Sequence, residues 1–194
     1  MFNLKNLFTR ALLALMLVTG AGAALAGPSY HVTIDTAGYG GTGTLSFELS
    51  GYESQVATAF LSNFTGDFLG DSAVVGDVSG SLDTGLVLRT GASYAAFAQT
   101  LDLGKRFGFD LRFDTGSASD SVGFNLGLFS DSLGSYLGEF GSLVAIERTP
   151  GQPDLVYVDT ALASVSEVPE PASLASLALG LALMGSTLRA RRKQ

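Results

Sequence analysis

The chain has 194 residues, of which 46% are hydrophobic and 15% are charged, with 25 Gly, no Cys, no Trp and a single His. This composition excludes a disordered polyelectrolyte, a disulfide-stapled scaffold, thiol catalysis, zinc fingers and multi-His metal centres. Residues 27–171 carry 18 acidic and five basic side chains, a net charge of −13, so we expect no nucleic-acid partner.

The first 26 residues have the parts of a secretory signal peptide. A short basic region precedes an apolar run at residues 11–18, and Ala24 and Ala26 supply the small-x-small pattern that signal peptidase accepts. The apolar run is too short for a spanning anchor. We therefore predict that signal peptidase cuts before Gly27 and that the mature chain is exported through the inner membrane.

Residues 27–167 have the pattern of one β domain, with short apolar runs closed by Gly, Asp or Ser turns. Helical spacing of comparable strength is absent from this part of the sequence. The pattern predicts an all-β fold, an antiparallel jelly-roll-like β-sandwich, with a closed barrel as the alternative. The predicted strands are residues 30–35, 44–49, 55–64, 74–78, 86–89, 94–103, 106–114, 122–128, 143–147, 155–158 and 162–165. A turn at residues 149–152 predicts a hairpin between the strands at 143–147 and 155–158.

Alternation of apolar and polar side chains predicts which face of the strands is buried. It is clearest at residues 106–114 and 122–128, where every second residue is apolar. The predicted core residues are Tyr30, Val32, Ile34, Leu45, Phe47, Leu49, Phe107, Phe109, Leu111, Phe113, Val122, Phe124, Leu126 and Leu128.

The sequence offers little catalytic machinery. His31 is the only His, so no second one can serve as base for a Ser nucleophile, and we interpret it as an outward residue of the first strand. Nucleophile elbows and phosphate-binding glycine loops are also absent from the sequence. We therefore expect no enzyme activity. The alternative is a carboxylate-based glycoside hydrolase, because 18 acids supply many pairs whose separation only the fold can decide.

Acidic side chains and aromatic rings suggest two kinds of ligand. The acids fit no calcium-loop template, so we expect no cofactor and interpret most of them as turn residues, with a structural Ca²⁺ as the alternative. We interpret the rings near predicted turns or off the apolar faces as packing at the core or its rim, with stacking on sugars as the alternative. Asn63 begins an N-x-T sequence that we interpret as a strand end. The acids are Asp67, Asp71, Asp77, Asp110, Asp114, Asp120 and Asp131, and the rings are Tyr39, Tyr52, Phe129 and Tyr136.

The C-terminal segment, residues 168–194, has three parts. Residues 172–188 carry no charge and would span about 26 Å as a helix, which is enough for a single transmembrane helix. The cations behind this helix would hold the tail on the cytoplasmic side. The residues before the helix are Val168, Pro169, Glu170 and Pro171, and the cations of residues 189–193 are Arg189, Arg191, Arg192 and Lys193.

This order of Val-Pro-Glu-Pro, apolar helix and basic cluster resembles the PEP-CTERM sorting signal of Gram-negative exported proteins. The resemblance implies that an exosortase, a membrane-embedded cysteine transpeptidase, recognises Pro169, Glu170 and Pro171 and cuts near them. It also implies transient insertion of the helix in the inner membrane and a final location at the cell surface or outside the cell, in exopolysaccharide matrix or biofilm.

The body itself is similar to a second group. Residues 63–88 and 107–114 resemble those of small PEP-CTERM proteins to which no biochemical activity is assigned. The expectation is therefore a non-catalytic exported protein with a structural or carbohydrate-interacting role, with a polysaccharide-modifying enzyme as the alternative.

Overall fold

The computed structural model describes residues 28–51, 56–91, 94–115 and 120–168. Within these ranges the chain is all-β, as predicted, and no helix has the length and apolarity to cross a membrane. The predicted signal peptide and the predicted helix at 172–188 lie outside the described residues. The strands are β1 (Ser29–Asp35), β2 (Thr42–Ser50), β3 (Thr58–Thr65), β4 (Phe68–Val75), β5 (Asp77–Ser81), β6 (Gly85–Arg89), β7 (Tyr94–Asp102), β8 (Arg106–Asp114), β9 (Val122–Ser130), β10 (Ser135–Tyr136), β11 (Val144–Arg148), β12 (Leu155–Val158) and β13 (Ala163–Val168).

The strands form two antiparallel sheets. Sheet 1 has the order β13-β1-β8-β3-β6-β5, and sheet 2 has the order β12-β11-β9-β2-β7-β4, with β10 paired to β9. Because the described strands divide into two sheets with edges, the closed-barrel alternative is wrong. All the described residues belong to one compact unit, Gly27–Glu170.

The two sheets share one buried core. All fourteen residues predicted to face inward are buried, each with 2% or less of its surface exposed. Alternation placed these side chains correctly because a strand with one buried face turns every second side chain toward the core. Phe47 of β2 and Phe109 of β8 join the sheets, with ring centroids 5.1 Å apart in an edge-to-face arrangement.

One predicted strand is wrong. Residues 74–78 are divided between β4, which ends in sheet 2, and β5, which begins in sheet 1. The break is at Gly76, whose φ of +75° suits glycine, and a Cβ there would lie 2.4 Å from the Tyr94 carbonyl oxygen. The two-residue strand β10 was also not predicted. The predicted hairpin is confirmed, since the Gln152 N–H donates to the Thr149 carbonyl at 3.0 Å between paired β11 and β12.

Thr36 lies where β1 gives way to the loop before β2. Its hydroxyl is buried and donates to the Lys105 carbonyl at 2.7 Å. The same oxygen accepts from the backbone N–H groups of Gly104 and Lys105 at 3.0 and 3.1 Å. These bonds connect the β1–β2 loop to the β7–β8 turn and satisfy backbone groups that have no strand partner there.

Candidate functional site

Strands β1 and β13 bring the two ends of the described chain together. Ser29, the first residue of β1, is the register partner of Val168, the last residue of β13. Val168, which the sequence analysis assigned to the sorting segment, therefore also belongs to the last strand of sheet 1. The other predicted processing residues lie outside the described residues: Ala24, Ala26, Gly27, Pro169, Glu170, Pro171, Arg189, Arg191, Arg192 and Lys193.

A polar cluster connects sheet 1 to the edge of sheet 2. The Tyr30 hydroxyl of β1 donates to Asp154 Oδ2 at 2.6 Å, just before β12 begins. Arg148, at the end of β11, has its Nε 3.7 Å from Asp154 Oδ1. Burial raises the pKa of the Tyr30 phenol well above its usual range, and the hydrogen bond to Asp154 and its negative charge raise it further.

His31 is exposed and faces outward on β1, as predicted. Its Nδ1 lies 2.6 Å from Asp110 Oδ1, and Asn63 Nδ2 donates to Asp110 Oδ2 at 2.7 Å. Burial alone would raise the pKa of Asp110, but the bonds from Asn63 and His31 hold it below its usual value. Asn63 has a φ of +54° and lies at a bulge inside β3. The cluster joins β1, β8 and β3 on the outer face of sheet 1.

Several of the acidic residues considered above as possible Ca²⁺ ligands bind other side chains of the protein. Asp67 pairs with Lys105 at 2.9 Å, and Asp131 Oδ2 accepts from the Thr42 hydroxyl at 2.6 Å. Within the ranges that the structure describes, no group of three or more His, Asp or Glu side chains is placed to hold a metal ion.

The structure describes all five basic side chains of residues 27–168. None of them faces outward from the strands of sheet 2. Arg89, Arg106 and Arg112 are on strands of sheet 1, and Lys105 is in the turn before β8. Arg148 faces the interior and Asp154. Each contacts a carboxylate or a ring: Arg89 with Asp77 (3.6 Å), Lys105 with Asp67 (2.9 Å), Arg106 with Asp35 (2.8 Å), Arg148 with Asp154 (3.7 Å) and Arg112 with the Phe60 ring (4.4 Å).

The outer face of sheet 2 carries a row of register partners from five adjacent strands. In order from β12 to β7 they are Tyr157, Ala145, Asn125, Glu48 and Ala96. With strands about 4.8 Å apart, the row is roughly 19 Å long. It begins with an aromatic ring, has an amide and a carboxylate at its centre, and is otherwise built from small residues.

A second row lies two residues along the strands from the first. It consists of Leu155, Glu147, Gly123, Ser50 and Tyr94. A cavity of about 640 Å³ opens over part of both rows, and we call the two rows and this cavity the sheet 2 groove. Its lining includes Gly123, Asn125, Ala145, Glu147, Leu155 and Tyr157.

Glycine and hydrogen bonding shape the floor of the sheet 2 groove. A Cβ on Gly123 would lie 3.2 Å from Ser50 Oγ, so glycine keeps this part of the floor low. Asn125 Nδ2 donates to Glu48 Oε2 at 3.3 Å, and Ser142 Oγ donates to Asn125 Oδ1 at 2.6 Å. These two bonds fix the orientation of the Asn125 amide.

Exposed rings stand around the sheet 2 groove. Phe140 is 74% exposed and its ring centroid is 5.9 Å from that of Tyr157. Tyr136, which is 56% exposed, packs edge-on against Phe129 at 5.4 Å. Tyr94 is at the β7 end of the second row. Burial raises the pKa of Tyr94, and the negative charge of Glu48 on the neighbouring strand adds to this effect.

Only part of this surface was predictable from the sequence. Phe129 and Tyr136 were expected to pack at the core or its rim, with sugar stacking as the alternative, and both lie outward on sheet 2. Tyr39 packs against the core, as expected, and Tyr52 lies outside the described residues. Tyr94 and Tyr157 were missed, although each has the outward position in an alternating strand, and that alternation was the available signal.

Comparison with known proteins shows which class of protein this chain belongs to. Residues 167–193 match the family model of a protein-sorting motif, and the match begins on Glu167, inside β13. The chain is thus a sorted protein with its signal at the C-terminal side of an all-β body. The motif is the PEP-CTERM protein-sorting motif, so the predicted resemblance is confirmed and the chain is an exported protein targeted by an exosortase. Searches of the curated proteins and of the solved structures gave no match.

Proposed function

We propose that this is a non-catalytic exported protein that, once sorted to the cell surface or the extracellular matrix, binds polysaccharide through the sheet 2 groove. The observation that carries the proposal is the register row in which Tyr157, Asn125 and Glu48 face outward together. Export and sorting come from the PEP-CTERM motif. The contact with polysaccharide comes from the chemistry of the groove.

The chemistry of the groove suits a sugar chain. A sugar ring has C–H faces that pack on aromatic rings and hydroxyls that need hydrogen-bond partners. Tyr157 and Phe140 provide rings at the β12 side, and Tyr94 provides one at the β7 side. Between them, Glu48 accepts hydrogen bonds, and Asn125 both donates and accepts. The groove crosses several strands and is open to solvent, which fits a polymer better than a small enclosed ligand.

The path of the chain supports a jelly-roll-like sandwich as the frame of this site. From β1 to β9 the chain changes sheet at every connection except the β5–β6 turn. Such repeated crossing is typical of jelly rolls. It places strands from distant parts of the sequence side by side, which is how β12, β11, β9, β2 and β7 come to share one outer face.

Glycoside hydrolysis is the second candidate because Glu48 and Glu147 lie on the same face. Register places their backbones two strands and two residues apart, which is about 12 Å. Glycosidases hold their two carboxyl groups about 5 to 9.5 Å apart on either side of the bond they cut. The open face favours binding over hydrolysis. Reducing-end release by the full chain from bound polysaccharide would overturn the non-catalytic part of the proposal.

The experiment is a pull-down of the full chain, held in a neutral detergent, on a panel of insoluble polysaccharides. Tyr157→Ala and Asn125→Ala should each weaken retention about tenfold or more, because they remove a stacking ring and a fixed amide. The matched control is Phe60→Ala, which removes a ring from the outer face of sheet 1. Retention on no polysaccharide, or equal loss in the control, would contradict the proposal.

A further inference from the structure

We infer that the polysaccharide of the sheet 2 groove is an amino-sugar polymer that carries free ammonium groups. This inference rests on the proposed function and names the class of its ligand. It follows from the distribution of charge around the groove and from the surroundings of Glu48 and Glu147, which together select a cationic polymer over a neutral or acidic one.

Positive and negative charge are separated on the body. All five cations of residues 27–168 lie on sheet 1, in its turns or against Asp154, and each already contacts a carboxylate or a ring. The groove instead holds Glu48 and Glu147, neither of which has an ion-pair partner among the described residues. A uronate or sulfate polymer would therefore meet only like charge there.

Glu48 is half-buried in the first row, beside Asn125. Its described hydrogen bond comes from Asn125, and an amide donor leaves the negative charge uncompensated. A carboxylate removed from water is stabilised when a cation accompanies it. Tyr94 lies two residues along β7 from Ala96, the register partner of Glu48. An ammonium group beside Glu48 would meet a carboxylate with an aromatic residue nearby, and both attract such a cation.

A second carboxylate lies on the same face of sheet 2. Glu147 is exposed in the second row, with Gly123 and Asn125 of β9 between it and Glu48. A polymer lying along the groove would thus pass one carboxylate near the centre and another on the β11 side. Two ammonium groups on one chain would be bound together, which raises affinity beyond that of either contact alone.

The test measures binding of three soluble hexamers to the full chain in neutral detergent by titration calorimetry. The probes are glucosamine hexamer, its fully N-acetylated form and a hexamer of galacturonate. The glucosamine hexamer should bind at least tenfold more tightly than the acetylated form, and added salt should reduce this advantage. Glu48→Gln with Glu147→Gln should abolish the preference, so that the variant binds the glucosamine hexamer and the acetylated hexamer with the same affinity.

The matched control is Asp71→Asn with Asp83→Asn, which removes the same charge from β4 and from the β5–β6 turn. It should keep the preference, and an equal loss there would overturn the inference in favour of general attraction to an acidic body. Equal affinity for the acetylated hexamer, or calcium-dependent binding of galacturonate, would overturn the inference but leave the proposed function standing. If none of the hexamers and none of the panel polysaccharides bind, both the inference and the proposed function are wrong. Because N-acetylation changes only the ligand, the comparison does not depend on the folding of a variant.

Discussion

Ser29 and Val168 are register partners on neighbouring antiparallel strands, although 139 positions separate them in the sequence. The segment that carries the predicted signal peptide and the segment that carries the sorting motif therefore leave the body from adjacent points of sheet 1. The pairing of β1 with β13 thus places the two ends of the described chain side by side.

A disulfide can test this pairing, because the chain has no Cys of its own. Ser29→Cys with Val168→Cys should form a bond on oxidation, since directly opposed residues on antiparallel strands lie about 4.5 to 5.5 Å apart. By the loop-entropy model the bond should stabilise the protein by roughly 4 to 5 kcal/mol. The measurement is thermal unfolding with and without reductant. Ser29→Cys with Ser164→Cys is out of register by four residues, and its oxidation to the same extent would show that the pairing is wrong.

The sorting motif and the basic tail should act separately. Arg189, Arg191, Arg192 and Lys193 each cost roughly 2.5 to 3.5 kcal/mol to bring into the bilayer, so they should stop translocation. Replacing all four with Gln should let unprocessed chain escape the membrane or insert poorly. Replacing Pro169, Glu170 and Pro171 with Ala should instead leave an inserted, uncut precursor. Fractionation in an exosortase-containing host, with a tag placed after Ala26, compares the size and location of the two variants. Identical behaviour would mean that the segment is read as one undivided signal.

The shared core should depend strongly on Phe109. Its ring is 1% exposed and contacts Phe47 of the other sheet. Phe109→Ala should lower the free energy of unfolding by roughly 3 to 5 kcal/mol, because a cavity would remain between the sheets. The measurement is denaturant unfolding of the wild type and the variant. Phe60→Ala, on the outer face of sheet 1, should cost far less, and equal costs would contradict the assignment of faces.

Stability should fall at alkaline pH because of Tyr30. Its pKa is raised in the folded state, so its contribution is complete below the unfolded pKa of about 10 and is lost as the pH rises above that value. Tyr30→Phe should be less stable at neutral pH, since Asp154 loses a hydrogen bond, yet its stability should change less between pH 9 and 11. Unfolding measured across this range gives the comparison. Parallel curves for the two proteins would show that Tyr30 does not cause the alkaline loss.

The sequence was most informative where one face of a strand is buried. The alternating Phe and Leu residues of β8 predicted its bounds and its inner face, because a period of two has no other simple explanation. The same signal failed at Gly76, where apolar residues continue on both sides of a turn between sheets. Apolarity does not reveal which sheet a strand will join.

The candidate site was harder to predict for a related reason. Glu48 and Asn125 are 77 positions apart, and only the pairing of β2 with β9 makes them neighbours. His31 and Asp110 meet in the same way through β1 and β8. Strand order in a sandwich depends on the packing of the whole body, whereas a sequence pattern reports local structure. Residues such as Phe129 could be predicted as outward, but their partners could not.

The position of β13 at the edge of sheet 1 has a consequence for the order of folding. During export from the N-terminus, β1 emerges first, but its two partners, β8 and β13, follow some 80 and 130 residues later. Pairings so distant in sequence form slowly, because the intervening chain must be closed into a loop. Until then β1 presents open hydrogen-bonding edges on which other chains could add strands. The sheet is completed only when the residues next to the sorting motif arrive, so the chain reaches its full stability at about the moment when it becomes available for sorting.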